Sequence, residues 1–137
     1  MIPIETMVNA LLHCKEYKLT DPVLVTSFVT SMIDNDRVIY EQEGFAFYVK
    51  CSDDVLDKIS ANPGYILDTQ NLIDVFKSKG DNVHFFGVVS TKTSGRVTKG
   101  ILQGIKDTII KENPKTISWW NPTMDRFHRR NICHQQF

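Results

Sequence analysis

One run constrains this chain more than any other: residues 83–90, VHFFGVVS, carry a single titratable side chain, His84. So apolar a segment fits a strand covered on both faces rather than one side of a half-solvated sheet. Downstream, Val97, Ile101, Ile105 and Ile109 recur every fourth residue, Leu102 and Ile110 widen the stripe, and Lys99, Lys106, Asp107 and Lys111 fall largely elsewhere. That spacing predicts a helix packed on the sheet. TISWWN (116–121) then reads as a strand, PTMDRFHRR as a helix capped by Asn121, and ICHQQF as a last strand. Strand, helix, strand, helix, strand in this order predicts an α/β or α+β sheet whose central strands run parallel or splay apart.

The first half adds helices and a hairpin. Met7, Leu11, Leu12 and Cys14 share a face if residues 4–17 are helical, and Thr20 or Asp21 with Pro22 starts a second helix reaching about Ile33. DND breaks it. RVIYEQEGFAFYVKC reads as two strands, 38–41 and 45–51, turned at Glu43-Gly44. Ser52 caps a short helix over DDVLDKI, NPGY is a turn, and TQNLIDVFKSK is another short helix ended by Gly80. The fold expected is a single domain over residues 1–137, a mixed sheet with flanking helices, two of them N-terminal.

Length and charge narrow the partners. A chain of 137 residues can bury roughly two-thirds of its unfolded surface. At 42% hydrophobic and 23% charged it lies in the globular range. Sixteen basic and sixteen acidic side chains cancel, so no global field favours nucleic acid or an anionic membrane. The start, with Glu5 where a secretory signal would be basic, reads as mature and cytoplasmic, and no apolar run approaches a membrane span of ~18 residues. Cys14, Cys51 and Cys133 are odd in number and widely spaced, which favours free thiols over a disulfide framework.

Between the apolar strand and the striped helix lies TKTSGRVTKG. A helix that opens directly after a buried strand aims unpaired N–H groups at the sheet's carboxyl edge, where an anion gains hydrogen bonds and the helix dipole. Gly95 lets the backbone approach a ligand, and Lys92, Arg96 and Lys99 supply counter-charge. Neither a Walker loop nor a dinucleotide fingerprint is present. The stretch reads as a phosphate seat or as a plain turn with solvated lysines, and its residues alone leave both open.

From Val83 onward the chain resembles the acyl-CoA-binding half of GNAT-type N-acyltransferases. In that family an apolar strand leads into a loop patterned Gln/Arg-x-x-Gly-x-Gly/Ala, then a long helix, a strand and a short helix of the form N-x-x-A-x-x-F-Y-x-x-x-G-F. Here Lys92 stands at the Gln/Arg place, Gly95 matches, and Val97 takes the Gly/Ala place. NPTMDRFHRRNIC puts Asn121 at the strand end, Met124 three on, Phe127 six on, and His128 where the family often carries a tyrosine acid, with Asn131-Ile132-Cys133 replacing the Gly-Phe ending. The resemblance implies a transferase that moves an acyl group from acetyl-CoA or another acyl-CoA to an amine on a small molecule or protein. The amides of Gly87, Val88 and Val89 would pair with pantetheine, with Gly87 making room. Lys92, Gly95, Arg96 and Val97 would hold the pyrophosphate, and Asn121 would also contact the cofactor. His128 would be the acid and His84 the base, with Glu41 and Glu43 as weaker bases. Each proton transfer of this kind is worth about 10²–10⁴ in rate.

Diverged proteins similar in this pattern include small virion or morphogenesis components of short-tailed phages. The alternative expectation is therefore the same fold without catalysis, working through protein partners or self-association in a host cytoplasm or a virion. Two other constellations weigh less. His13-Cys14 and Cys133-His134 are adjacent pairs whose side chains diverge, unlike spaced zinc ligands. Arg126, Arg129 and Arg130 beside Trp119 and Trp120 could meet a single-stranded nucleic acid, but a core tryptophan with a solvated basic rim accounts for them better.

Overall fold

In a computed structural model the described residues are 2–14, 19–41, 44–90, 99–121 and 126–132. They form an α+β fold: α1 (Ile4–Leu12), α2 (Pro22–Asp34), β1 (Val38–Glu41), β2 (Gly44–Cys51), α3 (Asp53–Ala61), a 3-10 turn (Tyr65–Leu67), α4 (Thr69–Lys77), β3 (Asn82–Ser90), α5 (Lys99–Glu112), β4 (Thr116–Asn121) and β5 (Arg126–Asn131). Among the described residues no helix is long and apolar enough to cross a membrane.

Helix starts follow local chemistry. Asp21 accepts from the amides of Val23 and Leu24 with Pro22 at the first helical position, Ser52 accepts from Val55, and Asp68 accepts from Gln70 and Asn71. Asp36 and Asn113 adopt positive φ (55° and 50°) just beyond α2 and α5, the left-handed residues that end helices. α1 stops at Leu12, short of the Tyr17 end its spacing predicts, and residues 15–18 lie outside the described ones.

The strands lie in sequence order, β1-β2-β3-β4-β5. All neighbours are antiparallel except β3 and β4, which are parallel. One face carries the larger core, where α1, α2, α3 and α4 meet Phe45, Phe47, Val49 and Phe86. Phe28 of α2 makes edge contacts with Phe47 and Phe86 at 5.5 and 5.3 Å. A buried ring of this kind contributes about 1.5–3 kcal/mol. The other face holds Ile39, Ala46, Tyr48, Val83, Phe85 and Ile101 of α5. The uncharged run in β3 is thus covered on both sides, as its composition predicts.

α5 packs through a narrower stripe than expected. Ile101 is buried and Ile105 and Ile109 are half-buried, but Leu102 and Ile110 face solvent at 49% and 78% exposure. The stripe widens in the other direction, over Gly100 and Gly104. A Cβ on Gly104 would collide with Ile39 and one on Gly100 with Glu41, so the helix backbone lies directly on β1.

The expected helix at PTMDRFHRR is a correction. Residues 122–125 lie outside the described ones, and Arg126–Asn131 is strand β5, antiparallel to β4. The cause is a two-residue period. Phe127 packs against the larger core, Arg129 reaches Asp53, Asn82 and Thr116, and His128 turns the other way onto Trp119. A helix would scatter these contacts. Residues 133–137, expected as a last strand, are outside the described set.

Candidate functional site

The centre of the sheet is a fork. β3 and β4 share only three pairs, Asn82↔Thr116, Val83↔Ile117 and His84↔Ser118, although β3 runs on to Ser90 and β4 to Asn121. Just past the last shared pair β3 is bulged: Phe47 pairs with Phe86 and Phe45 with Val89, so Ala46 faces both Gly87 and Val88. Gly87 takes φ +61°, the left-handed value that such a bulge requires of glycine. Its missing Cβ leaves space that Leu11 and Phe47 occupy, since a Cβ would lie 2.9 Å from Leu11 Cδ2 and 3.1 Å from Phe47 Cδ2. Room expected for a ligand at that carbon is taken by α1.

His84 sits at the fork with no exposed surface. Its Nδ1 lies 2.8 Å from Ser118 Oγ, and its ring stacks on Phe127 at 5.9 Å. Trp120 meets Phe127 edge-on at 6.2 Å. Burial pushes the His84 pKa down to about 3, so the imidazole is neutral at physiological pH. Among the described residues, His84 Nε2, Trp120 Nε1 and His128 Nε2 are buried without a hydrogen-bond partner. Such groups are uncommon in folded proteins and each asks for an explanation.

The two expected catalytic imidazoles do not converge. Alternation along paired strands puts His84, Ser118, Trp120 and Phe127 on the face of the N-terminal helices, while His128 stacks on Trp119 at 5.5 Å on the α5 face. Trp119 and Trp120 therefore point to opposite faces, as a regular strand dictates. Val88 and Val89 also divide, Val88 toward the α5 cluster and Val89 toward the larger core. Asn121 ends β4 opposite Arg126. Lys92, Gly95, Arg96 and Val97 lie outside the described residues. At the described start of α5, the Glu41 side chain and its carboxylate pack against Gly100, so this corner already carries one anion. Of the two adjacent Cys/His pairs, Cys133-His134 lies outside the described residues, while just beyond the end of α1 His13 Nδ1 lies 2.7 Å from Asn9 O and Cys14 Sγ donates to Ala10 O. Cys51 is buried, which pushes its thiol up to about 12.

Below the fork, polar side chains cross the β3–β4 boundary. Asn82 donates to Cys51 O at 3.1 Å and to Asp53 at 2.9 Å, Thr116 donates to Asn82, and Arg129 donates to Asp53 at 2.9 Å and to Asn82 at 3.2 Å. Hydrogen bonds from Asn82 and then from Arg129 hold the Asp53 carboxyl below its usual value. The sequence carried one signal for this network and for Ser118: in TISWWN the polar residues Thr116 and Ser118 keep one parity beside an apolar strand.

Two clefts open at the amino end of β3, on the side of the three shared rungs where Asn82 begins them. The larger, about 480 Å³, is lined by Arg37, Lys50, Phe76 and the segment 78–81; the smaller, about 210 Å³, shares Lys79, Gly80 and Asp81 and adds Asp53, Asn82 and Lys115.

Compared with protein-family models, curated proteins and solved structures, the chain matches none.

Proposed function

We propose that the chain binds acyl-CoA at the fork and transfers the acyl group to an amine. The observation that carries this reading is the coincidence of three features within a few residues: the end of the parallel ladder at His84–Ser118, the Gly87 bulge, and two buried unpartnered nitrogens, His84 Nε2 and Trp120 Nε1, both beside Phe127. A thioester and its pantetheine amides would supply the missing hydrogen-bond partners. In the transfer the amine nitrogen bonds to the acyl carbon, the carbon–sulfur bond breaks, the thiolate takes a proton, and the ammonium proton leaves to a base.

With a pKa near 3, His84 is a poor base for that proton. If Ser118 Oγ donates to Nδ1, the hydrogen resides on Nε2, and His84 serves as a fixed donor to the acyl carbonyl. The resemblance in the loop holding Lys92, Gly95 and Arg96 supplies the pyrophosphate part of this proposal.

Acetyl-CoA added to the full chain should raise its stability by roughly 2.7 kcal/mol at 100 times the dissociation constant. Amide NMR shifts should centre on Gly87, Val88 and Val89, and free thiol should appear on adding amines. A lack of both thermal and amide shifts with acetyl-CoA and longer acyl-CoAs would remove the reading.

One observation favours a second reading, the same fold acting as a structural or interaction protein in a virion or cell. His84 and His128 lie on opposite faces of the sheet and do not form an acid–base pair. Binding of acyl-CoA without thiol release would select a non-catalytic role.

A further inference from the structure

The larger cleft lies just before the amino end of β3, three residues upstream of His84, and its wall carries an excess of cations. Among the described residues three cations line it, Arg37 from the turn after α2, Lys50 from β2 and Lys79 from the segment after α4, together with the carboxylate of Asp81. Two of the cations are fixed from behind. Glu112, at the end of α5 with its side chain only 11% exposed, lies 3.6 Å from Arg37 and 3.1 Å from Lys50. Arg37 also donates to Tyr48 Oη at 3.3 Å, and its guanidinium sits 5.2 Å from the Tyr48 ring centre.

Cations on long side chains ordinarily lose rotamer freedom when they grip a ligand. Here the fold has already removed much of that freedom from Arg37 and Lys50. Counting Glu112 with the lining, the described residues around the cleft carry three cations and two carboxylates, an excess of one positive charge. Phe76, half-buried against the larger core, forms an apolar part of the same wall.

We propose that this cleft binds a small phosphorylated molecule. Its phosphate sits among Arg37, Lys50 and Lys79, and an apolar or aromatic body lies on Phe76. A planar guanidinium with two ammonium groups matches the doubly charged phosphate better than a single carboxylate. The volume of about 480 Å³ is within the range of small-ligand sites.

The test titrates inorganic phosphate and inorganic pyrophosphate into the full chain, followed by calorimetry and amide NMR. Expected are saturable binding that weakens as salt rises, amide shifts across residues 78–81, and a loss of about tenfold or more in Lys79→Glu. Lys79 is exposed, so its replacement spares the core. Lys58→Glu makes the same charge change on α3 outside the cleft and should leave binding unchanged. Arg37→Lys keeps the charge but removes the planar guanidinium and should weaken binding. Absence of saturable binding by either anion, an equal loss in Lys58→Glu, or citrate binding as tightly as pyrophosphate would overturn the proposal.

Discussion

Nδ1 of His84 stands 2.8 Å from Oγ of Ser118 across the last pair that β3 and β4 share. The contact fixes one ring nitrogen of an imidazole that has no exposed surface and whose pKa falls from 6.5 to about 3. Because the unfolded chain protonates this group first, its contribution to stability is complete above pH 6.5. It is lost progressively as pH falls from there toward 3. The slope attributable to His84 reaches at most about 1.4 kcal/mol per pH unit. Denaturation across this range should show a shallower acid dependence in His84→Gln than in the wild type. Equal slopes would mean that the imidazole titrates normally.

Gly87 and Leu11 should be energetically coupled. Gly87→Ala forces a side chain into left-handed backbone and against Leu11, a cost of about 1–3 kcal/mol for the backbone alone. In Gly87→Ala/Leu11→Ala the contact is relieved while the backbone strain remains. The double-mutant cycle should therefore fall short of additivity, and strict additivity would place Leu11 away from the bulge.

The α5 stripe predicts different outcomes for two isoleucines of the same helix. Ile101→Ala removes a fully buried side chain and should cost about 2–5 kcal/mol. Ile110→Lys, on a residue 78% exposed, should stay within about 0.5 kcal/mol. Urea midpoints of the two variants decide it.

Asn82 is the hub of the network below the fork, bonded to Cys51, Asp53, Thr116 and Arg129. Asn82→Leu removes the acceptor of the buried Thr116 O–H, whose oxygen then keeps only the Arg129 Nε–H donor, and should destabilise the fold by about 1–3 kcal/mol. Replacing Thr116 with Val in the same chain should recover part of that loss. A loss unchanged by the second replacement would show that Thr116 is not the stranded partner.

The elements governed by local rules were legible in the chain. Asp21-Pro22, Ser52 and the apolar 83–90 run announce two helix starts and a doubly covered strand through capping and composition alone. Long-range contacts were not. RFHRRN carries an asparagine and a proline upstream that suit a helix start, and only its partners on β4, α3 and β3 impose the period of two. Leu102 and Ile110 fit an apolar stripe as well as Gly100 and Gly104 fit none, yet the close approach of β1 selects the glycine side. Of the candidate site, the glycine in β3 was visible as a special residue, but the bulge depends on register with Ala46 and the burial of His84 on Phe127.

The sheet consists of two antiparallel pieces, β1–β3 and β4–β5, sewn together by three parallel rungs. Its mechanically weakest line is therefore internal, a seam riveted by Asn82, Thr116, Ser118 and Arg129 side chains. Hydrogen exchange through partial opening should release the terminal hairpin as a unit before the three-stranded remainder yields.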